Sequence, residues 1–186
     1  MARYVIGFLL ALGLIILVII LIIKGLTSGG KSPLQTVDLN SYANTGTTVQ
    51  LIIDSPVTAS SQHHDIIINI GNNQASLQVT QGYEGEVVRS KTYPMNVSAY
   101  DVFLRSLNLN GFTQSNNDPN LKDERGHCAL GDRYIYEVID ETGNDLQRYW
   151  STTCNTGTFK GNIGSIQQLF QKQIPDYGEL TNDVQL

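Results

Sequence analysis

The sequence predicts an α+β domain that follows a single N-terminal transmembrane helix. Three features of the chain support this prediction: an unbroken apolar run near the start, several short segments rich in Val, Ile, Leu and Thr, and two later segments with apolar residues at helical spacing. The β-like segments follow one another too closely for crossover helices, so we expect an antiparallel sheet. Helices packed on one face of that sheet complete the α+β architecture.

The first element is the apolar run over residues 5–23, which contains no charged or hydrogen-bonding side chain. A helix of this length rises about 1.5 Å per residue and spans about 28 Å, close to the roughly 30 Å of a bilayer's hydrocarbon core. The run is longer than the apolar part of a signal peptide, which has about 7–15 residues, and no good cleavage site follows it. An uncleaved anchor over residues 1–26 is therefore favoured over a removed signal peptide.

The orientation of this anchor depends on the chain that follows it. Arg3 precedes the apolar run and Lys24 and Lys31 follow it, so the positive-inside rule does not decide the orientation. The downstream sequence is rich in polar residues, and its two cysteines lie where they could pair. These features favour a cytoplasmic N-terminus and a C-terminal domain outside the cell membrane.

The net charge of the chain after Lys31 limits the classes of partner that we expect it to bind. Of the 12 Lys and Arg residues, 3 lie within the first 31 positions, which leaves 9 against all 17 Asp and Glu residues, a net charge of 9 − 17 = −8. Long-range attraction to phosphate backbones is unfavourable for such a domain. Nucleic acid is therefore not an expected partner.

The remaining chain divides into three predicted parts. Residues 27–47 are small, polar and interrupted by Gly and Pro, as in a flexible linker. Residues 48–178 form the extracytoplasmic α+β domain, and residues 179–186 form a C-terminal tail. Within the domain, the first four strands correspond to the segments TVQLIID, HDIIINIG, ASLQVTQG and EVVRSKTY, with a tight hairpin turn around residues 71–73.

Two amphipathic helices are predicted after these strands. The first is capped by Asn96 or Ser98 and stops at Gly111, and the second runs from about Asn162 to Gln173. The residues expected to face the core are Tyr100, Phe103, Leu104 and Leu107 in the first helix, and Ile163, Ile166, Leu169 and Phe170 in the second.

A hairpin is predicted between these helices, around the turn at residues 141–144. Of two registers, the one with a four-residue loop gives the more favourable cross-strand pairs, Glu137 with Arg148 and Ile135 with Trp150. The same register turns Ile135, Ile139, Leu146 and Trp150 towards the core. It places Tyr134, Tyr136 and Tyr149 on the opposite face, where they form a candidate binding face unless a loop or strand covers them.

Cys128 and Cys154 flank this hairpin and are predicted to form a disulfide. The register brings Cys154 opposite Gly131, close enough for a short bend to join the two thiols. Unpaired structural cysteines, a metal site and a catalytic thiol beside His127 are the alternatives. A metal site would need more ligands than the nearby sequence offers, and a catalytic thiol would need a base and a partner that orients the base.

The other residues of chemically reactive types are interpreted as solvent-exposed polar groups. The segment Ser60 to Asp65 contains Ser, His and Asp, but neighbouring residues of a strand point to alternate faces and do not form a hydrolase triad. It is interpreted as a solvated loop leading into the second strand. No catalytic residue, metal site or cofactor is predicted.

The segments GFT, ERGHCALGDRYIYE, RYWSTTC, GTFKGN and LFQKQIPDY, behind one N-terminal anchor, resemble small single-pass envelope proteins of ultrasmall bacteria such as Saccharibacteria. The resemblance covers residues 83–177. It implies an envelope protein and brings no catalytic residues with it.

Together these features predict a membrane-anchored extracytoplasmic domain, not an enzyme, with a binding or envelope-structural role. Its expected partners are the lipid bilayer, through residues 5–23, and a protein of the envelope. The alternatives are an enzyme or protease inhibitor acting in the envelope, and a subunit of a surface assembly. A deep pocket with convergent polar groups would favour an enzyme, whereas an exposed tyrosine face would favour binding.

Overall fold

The computed structural model describes residues 38–116 and 118–184, which form an α+β domain. Six antiparallel strands make one sheet in the order β4-β3-β2-β1-β5-β6. Strands β1 to β4 therefore form a meander, and the β5–β6 hairpin adds to the free side of β1. The predicted class and the antiparallel sheet are confirmed. The strands are β1 (Thr48–Asp54), β2 (His64–Ile70), β3 (Gln74–Gln81), β4 (Glu86–Pro94), β5 (Arg133–Ile139) and β6 (Asp145–Thr152).

The described part of the chain also contains three α-helices and three short 3-10 helices. The α-helices are α1 (Val97–Leu109), α2 (Ile163–Gln171) and α3 (Tyr177–Thr181), and the 3-10 helices are Leu39–Tyr42, Ser60–Gln62 and Pro119–Leu121. Asn96 caps α1, because its side chain accepts a hydrogen bond from the backbone N–H of Ala99 at 2.9 Å. Gly111 follows α1 with φ 76°, a conformation that favours glycine.

The core lies between one face of the sheet and the helices. Alternate residues of β1, β2 and β3 point to this face, as the period of two in a strand requires. The rings of Phe103 and Phe170 meet edge to face with centroids 5.2 Å apart and join α1 to α2. The predicted inward residues of both helices lie in this cluster or pack against it.

The domain begins earlier than the sequence predicts. Leu39 is completely buried, and Asp38 caps its 3-10 helix by accepting a hydrogen bond from the backbone N–H of Asn40 at 3.1 Å. The Tyr100 hydroxyl donates to the Thr47 carbonyl at 3.0 Å. Residues 38–47 therefore belong to the domain rather than to the linker, because an apolar residue within this polar stretch packs into the core.

The C-terminal end is also more structured than a tail. α3 extends to Thr181, past the predicted end of the domain. Arg89 in β4 holds Asp183 with two hydrogen bonds of 2.8 Å, and Lys91 pairs with Asp176. These contacts join Asp176 and Asp183 to the edge strand β4, and residues 185 and 186 of the predicted tail lie outside the described residues.

The predicted anchor lies outside the described residues, as do residues 27–37 of the predicted linker. In the ranges 38–116 and 118–184, no helix is both long enough and apolar enough to span a membrane.

The hairpin register agrees with the prediction over most of its length. Glu137 pairs with Arg148, Ile135 with Trp150, and Tyr136 with Tyr149, while a bulge near the turn sets Ile139 opposite Asp145 instead of Leu146. Asp140 organises the turn by accepting the backbone N–H groups of Thr142 and Asn144 at 2.8 and 2.9 Å. These and neighbouring hydrogen bonds lower the pKa of Asp140 to about 2.

The assignment of the two hairpin faces was wrong. Tyr136 is completely buried in the main core, where its ring lies 4.5 Å from that of Phe159, and Tyr134 and Tyr149 pack half-buried around the same core. Trp150 and Ile135 lie buried on the other face, and Leu146 is 44% exposed.

The physical reason is that both faces of this hairpin are covered. The loop of residues 118–127 lies over the second face, where the indole N–H of Trp150 donates to the Leu121 carbonyl at 3.0 Å. When both faces of a hairpin are buried, large side chains occur on both, so their size does not show which face enters the main core. Tyr134, Tyr136 and Tyr149 therefore do not form an exposed contact patch.

Tyr136→Ala is expected to lower the free energy of unfolding by about 3–5 kcal/mol, the usual cost of removing a large buried ring. Leu146→Ala, on the same hairpin but exposed, should change the free energy by no more than about 0.5 kcal/mol. Urea denaturation of both variants measures the difference. Similar losses in the two variants would contradict the burial of Tyr136.

Candidate functional site

Three charged side chains meet at one end of the sheet, on the face opposite the core. The β1–β2 register sets Asp54 opposite Asp65, and the β1–β5 register sets Arg133 opposite Asp54. Because Ile53 and Ile66 point into the core, the neighbouring Asp54 and Asp65 must point away from it. Strand pairing alone therefore places two carboxylates and one guanidinium on adjacent strands.

His63 completes this group from the residue before β2. Its side chain is only 5% exposed, and its Nε2 lies 3.6 Å from Asp54 Oδ1 and 3.4 Å from Asp65 Oδ1. Both separations exceed the usual 2.7–3.2 Å of a hydrogen bond from nitrogen to oxygen. The other ring nitrogen, Nδ1, lies 3.1 Å from Ser55 Oγ and 3.4 Å from the Pro56 carbonyl oxygen.

Tyr83 covers the imidazole ring of His63. The two rings are stacked with centroids 4.2 Å apart and planes 20° from parallel. The Tyr83 hydroxyl donates to the Thr58 carbonyl at 2.8 Å and accepts from the Thr58 N–H at 3.1 Å. These contacts hold the tyrosine in place as a wall of the site.

A cleft of about 280 Å³ opens above the four charged or titratable side chains. Residues 124–126 of the covering loop form its far wall. This volume lies just below the roughly 300–1,000 Å³ of pockets for drug-sized molecules. Charged and polar groups from three strands and the covering loop converge on it.

The far wall is fixed by a second charged group, formed by Arg148, Glu124 and Glu137. Arg148 donates to both carboxylate oxygens of Glu124 at 2.8 Å and to Glu137 at 2.9 Å. Burial raises the pKa of Glu137, and the nearby negative charge of Asp145 acts in the same direction. Arg148 therefore joins the loop to the sheet beside the cleft.

The Asp54 and Asp65 carboxylates have unequal hydrogen-bond partners. Arg133 donates to Asp54 Oδ1 at 2.7 Å and to the Ser55 carbonyl at 3.1 Å. Asp65 receives only a long contact of 3.4 Å from the Thr80 hydroxyl, and its buried Oδ1 has no hydrogen-bond partner. Burial and the negative charge of Asp54 raise the pKa of Asp65. At the floor of the cleft two carboxylates therefore face one guanidinium, while Arg125 in the far wall pairs with Asp123.

Ser55, His63 and Asp65 resemble a hydrolase triad in composition but not in arrangement. The serine contacts Nδ1 and the aspartate lies near Nε2, which is the reverse of the usual order. Ser55 is 2% exposed, and its Oγ accepts the backbone N–H of His64 at 3.1 Å. The serine is therefore a buried support for the histidine rather than a nucleophile that substrate can reach.

The sequence patterns do not predict this site, and the interpretation of His63 as part of a solvated loop is wrong, because its side chain is buried. One signal was available: an antiparallel pairing of TVQLIID with HDIIINI brings the aspartate that ends one segment opposite the aspartate that begins the next. No pattern in the neighbouring sequence predicts that Arg133 belongs to the site or that the His63 side chain is buried. Both depend on the packing of distant segments.

The two cysteines lie at disulfide-bonding distance, as predicted. Their sulfur atoms are 2.03 Å apart and their Cα atoms 5.7 Å apart. The segment between Cys128 and Gly131 reaches the site region, because the Ala129 carbonyl accepts the backbone N–H of Val57 at 2.8 Å. His127 packs its ring against Trp150, with centroids 5.1 Å apart.

Replacing both Cys128 and Cys154 by Ser is expected to lower the free energy of unfolding by about 3.5 kcal/mol, because the bond closes a long loop in the unfolded chain. Urea denaturation with and without a reducing agent measures this change. The reducing agent should destabilise the wild type to the level of the double variant and leave that variant unchanged. A wild type that is insensitive to reduction would contradict a stabilising bond.

Comparisons with protein-family models, curated proteins and solved structures found no match to this chain.

Proposed function

We propose that this chain is a single-pass envelope protein whose extracytoplasmic domain binds a cation, without catalysis, in the cleft above Asp54, His63 and Asp65. The observation that carries the proposal is the group of buried and half-buried charges at the floor of that cleft. Its two carboxylates are opposed by one guanidinium, and the inner oxygen of Asp65 has no hydrogen-bond partner. A buried carboxylate oxygen without a partner is costly, and a bound cation removes that cost.

Two observations support the proposed location. The run over residues 5–23 has the length and composition of a membrane span. Cys128 and Cys154 lie at bonding distance, and disulfides persist in oxidising compartments outside the cytoplasm. The bilayer is therefore the proposed partner of the N-terminal segment, and the cleft faces the extracytoplasmic space.

The residues of the cleft support binding rather than catalysis. Ser55 is buried behind the histidine. One terminal nitrogen of the Arg133 guanidinium already donates to Asp54 and to the Ser55 carbonyl. The site favours a positively charged ligand. Metal ions, free amines and the lysine side chain of an envelope protein all carry positive charge.

Topology is tested by thiol labelling of intact cells that express the full chain. After treatment with a reductant, Cys128 and Cys154 should react with a membrane-impermeant maleimide before the cells are lysed. The variant with serine at both positions should remain unlabelled and serves as the control. Labelling that requires lysis would place the domain in the cytoplasm.

Cation binding is tested by calorimetric titration of the full chain in uncharged detergent micelles with putrescine, CaCl₂ and ZnCl₂ in turn. At least one of these cations should saturate at one per chain, and Asp65→Asn should weaken that binding at least about tenfold, the loss of one charged contact. Asp101→Asn is the matched control, because it removes the same charge from a carboxylate on α1 that pairs with Arg105.

Two outcomes would contradict the proposed function. In one, none of the three cations saturates at one per chain. In the other, Asp65→Asn and Asp101→Asn weaken binding equally, which would indicate attraction to the overall negative charge rather than a site.

A further inference from the structure

We propose that the cation is a divalent metal ion with a tetrahedral preference, Zn²⁺, held by Asp54, His63 and Asp65. This inference rests on the proposed function, because it names the ligand of the same cleft. The three residues each offer one ligand atom, and these atoms all lie within 4.8 Å of one another.

The two separations from His63 Nε2 to the carboxylate oxygens fit a metal better than they fit hydrogen bonds. Zinc binds nitrogen and oxygen ligands at about 2.0–2.2 Å, so two ligands at the tetrahedral angle lie about 3.3–3.6 Å apart. His63 Nε2 lies 3.4 Å from the Asp65 oxygen and 3.6 Å from the Asp54 oxygen. A hydrogen bond between nitrogen and oxygen would bring the atoms to about 2.7–3.2 Å.

His63 points to a ligand independently of the two carboxylates. Its side chain is 95% buried, given its 5% exposure, yet Nε2 forms no hydrogen bond and is directed between the two aspartates. When the proton is on Nδ1, the lone pair of Nε2 faces two negatively charged oxygens. A metal ion between the nitrogen and the two oxygens would bind all three atoms and remove this repulsion.

The partners behind the ligand atoms are those that metal sites require. A ligating histidine usually donates its second ring N–H to a carbonyl or another acceptor. Nδ1 of His63 has the Ser55 hydroxyl and the Pro56 carbonyl within 3.4 Å. Arg133 holds Asp54, and Thr80 approaches the outer oxygen of Asp65. Two of the three ligands, His63 and Asp54, are thus oriented by close neighbours.

The ligand set also selects among ions. Ca²⁺ and Mg²⁺ take oxygen ligands, whereas imidazole suits zinc, copper, iron and nickel. Two carboxylates and one imidazole fill three positions of a tetrahedral ion. The adjoining cleft can supply a water molecule or a ligand group at the fourth.

The inference is tested on the full chain in uncharged micelles after EDTA treatment and buffer exchange. Zn²⁺ alone should bind at one ion per chain, and Asp65→Asn should weaken it at least about tenfold, as the loss of a ligand implies. Asp101→Asn should bind Zn²⁺ as the wild type does. Co²⁺ in place of Zn²⁺ should give the intense visible absorption of a tetrahedral ion in the wild type and lose it in Asp65→Asn.

His63→Gln removes the imidazole and should abolish the tetrahedral Co²⁺ spectrum. Because His63 is buried, that variant could fail to fold, and the Asp65→Asn titration and spectrum then decide. Zn²⁺ binding that is equal in Asp65→Asn and the wild type would overturn the inference, as would a weak, six-coordinate Co²⁺ spectrum.

Failure of this inference is distinguishable from failure of the proposed function. If putrescine or Ca²⁺ binds in an Asp65-dependent way while Zn²⁺ does not, the metal assignment falls and cation binding stands. If no cation binds, both fall.

Discussion

The pairing of β5 with β1 is the interaction on which both the core and the candidate site depend. Its register sets Tyr136 opposite Leu51 and Arg133 opposite Asp54. Because side chains alternate between faces, a slip by one residue would remove Tyr136 from the core and separate Arg133 from Asp54. One backbone register therefore decides the aromatic packing on one face and the charge balance on the other.

The face of β5 and β6 that points away from the core is covered by a loop held through polar contacts. Arg148 joins Glu124 in this loop to Glu137 in the sheet, and Trp150 donates to the backbone of Leu121. The bond between Cys128 and Cys154 closes the chain around the same hairpin. The covering loop thereby becomes a fixed wall of the cleft. The same loop buries the second face of the hairpin and bounds the candidate site.

The candidate site combines fixed positions with incomplete charge balance. Asp54, Asp65 and Arg133 are placed by strands, and His63 is held by Ser55 and stacked under Tyr83. Strand pairing fixes the backbones of Asp54, Asp65 and Arg133. The cation that we propose for this cluster would bind to carboxylates whose backbone positions are already set.

The sequence by itself determined the elements whose signals are local. Strand alternation, the Asn96 cap, the helical stripe from Tyr100 to Leu107 and the hairpin pairs around Glu137 depend on neighbours in the chain, and they appear in the structure. Only the tertiary structure decided which face of the hairpin enters the core, because both faces are covered and residue size does not separate them. It also decided that residues 38–47 pack into the domain, since one buried leucine in a polar stretch gives no periodic pattern. The candidate site was also decided only by the tertiary structure. His63 and Arg133 are 70 positions apart (133 − 63), and both lie beside Asp54 of β1. Their proximity depends on the register of strands that are distant in sequence.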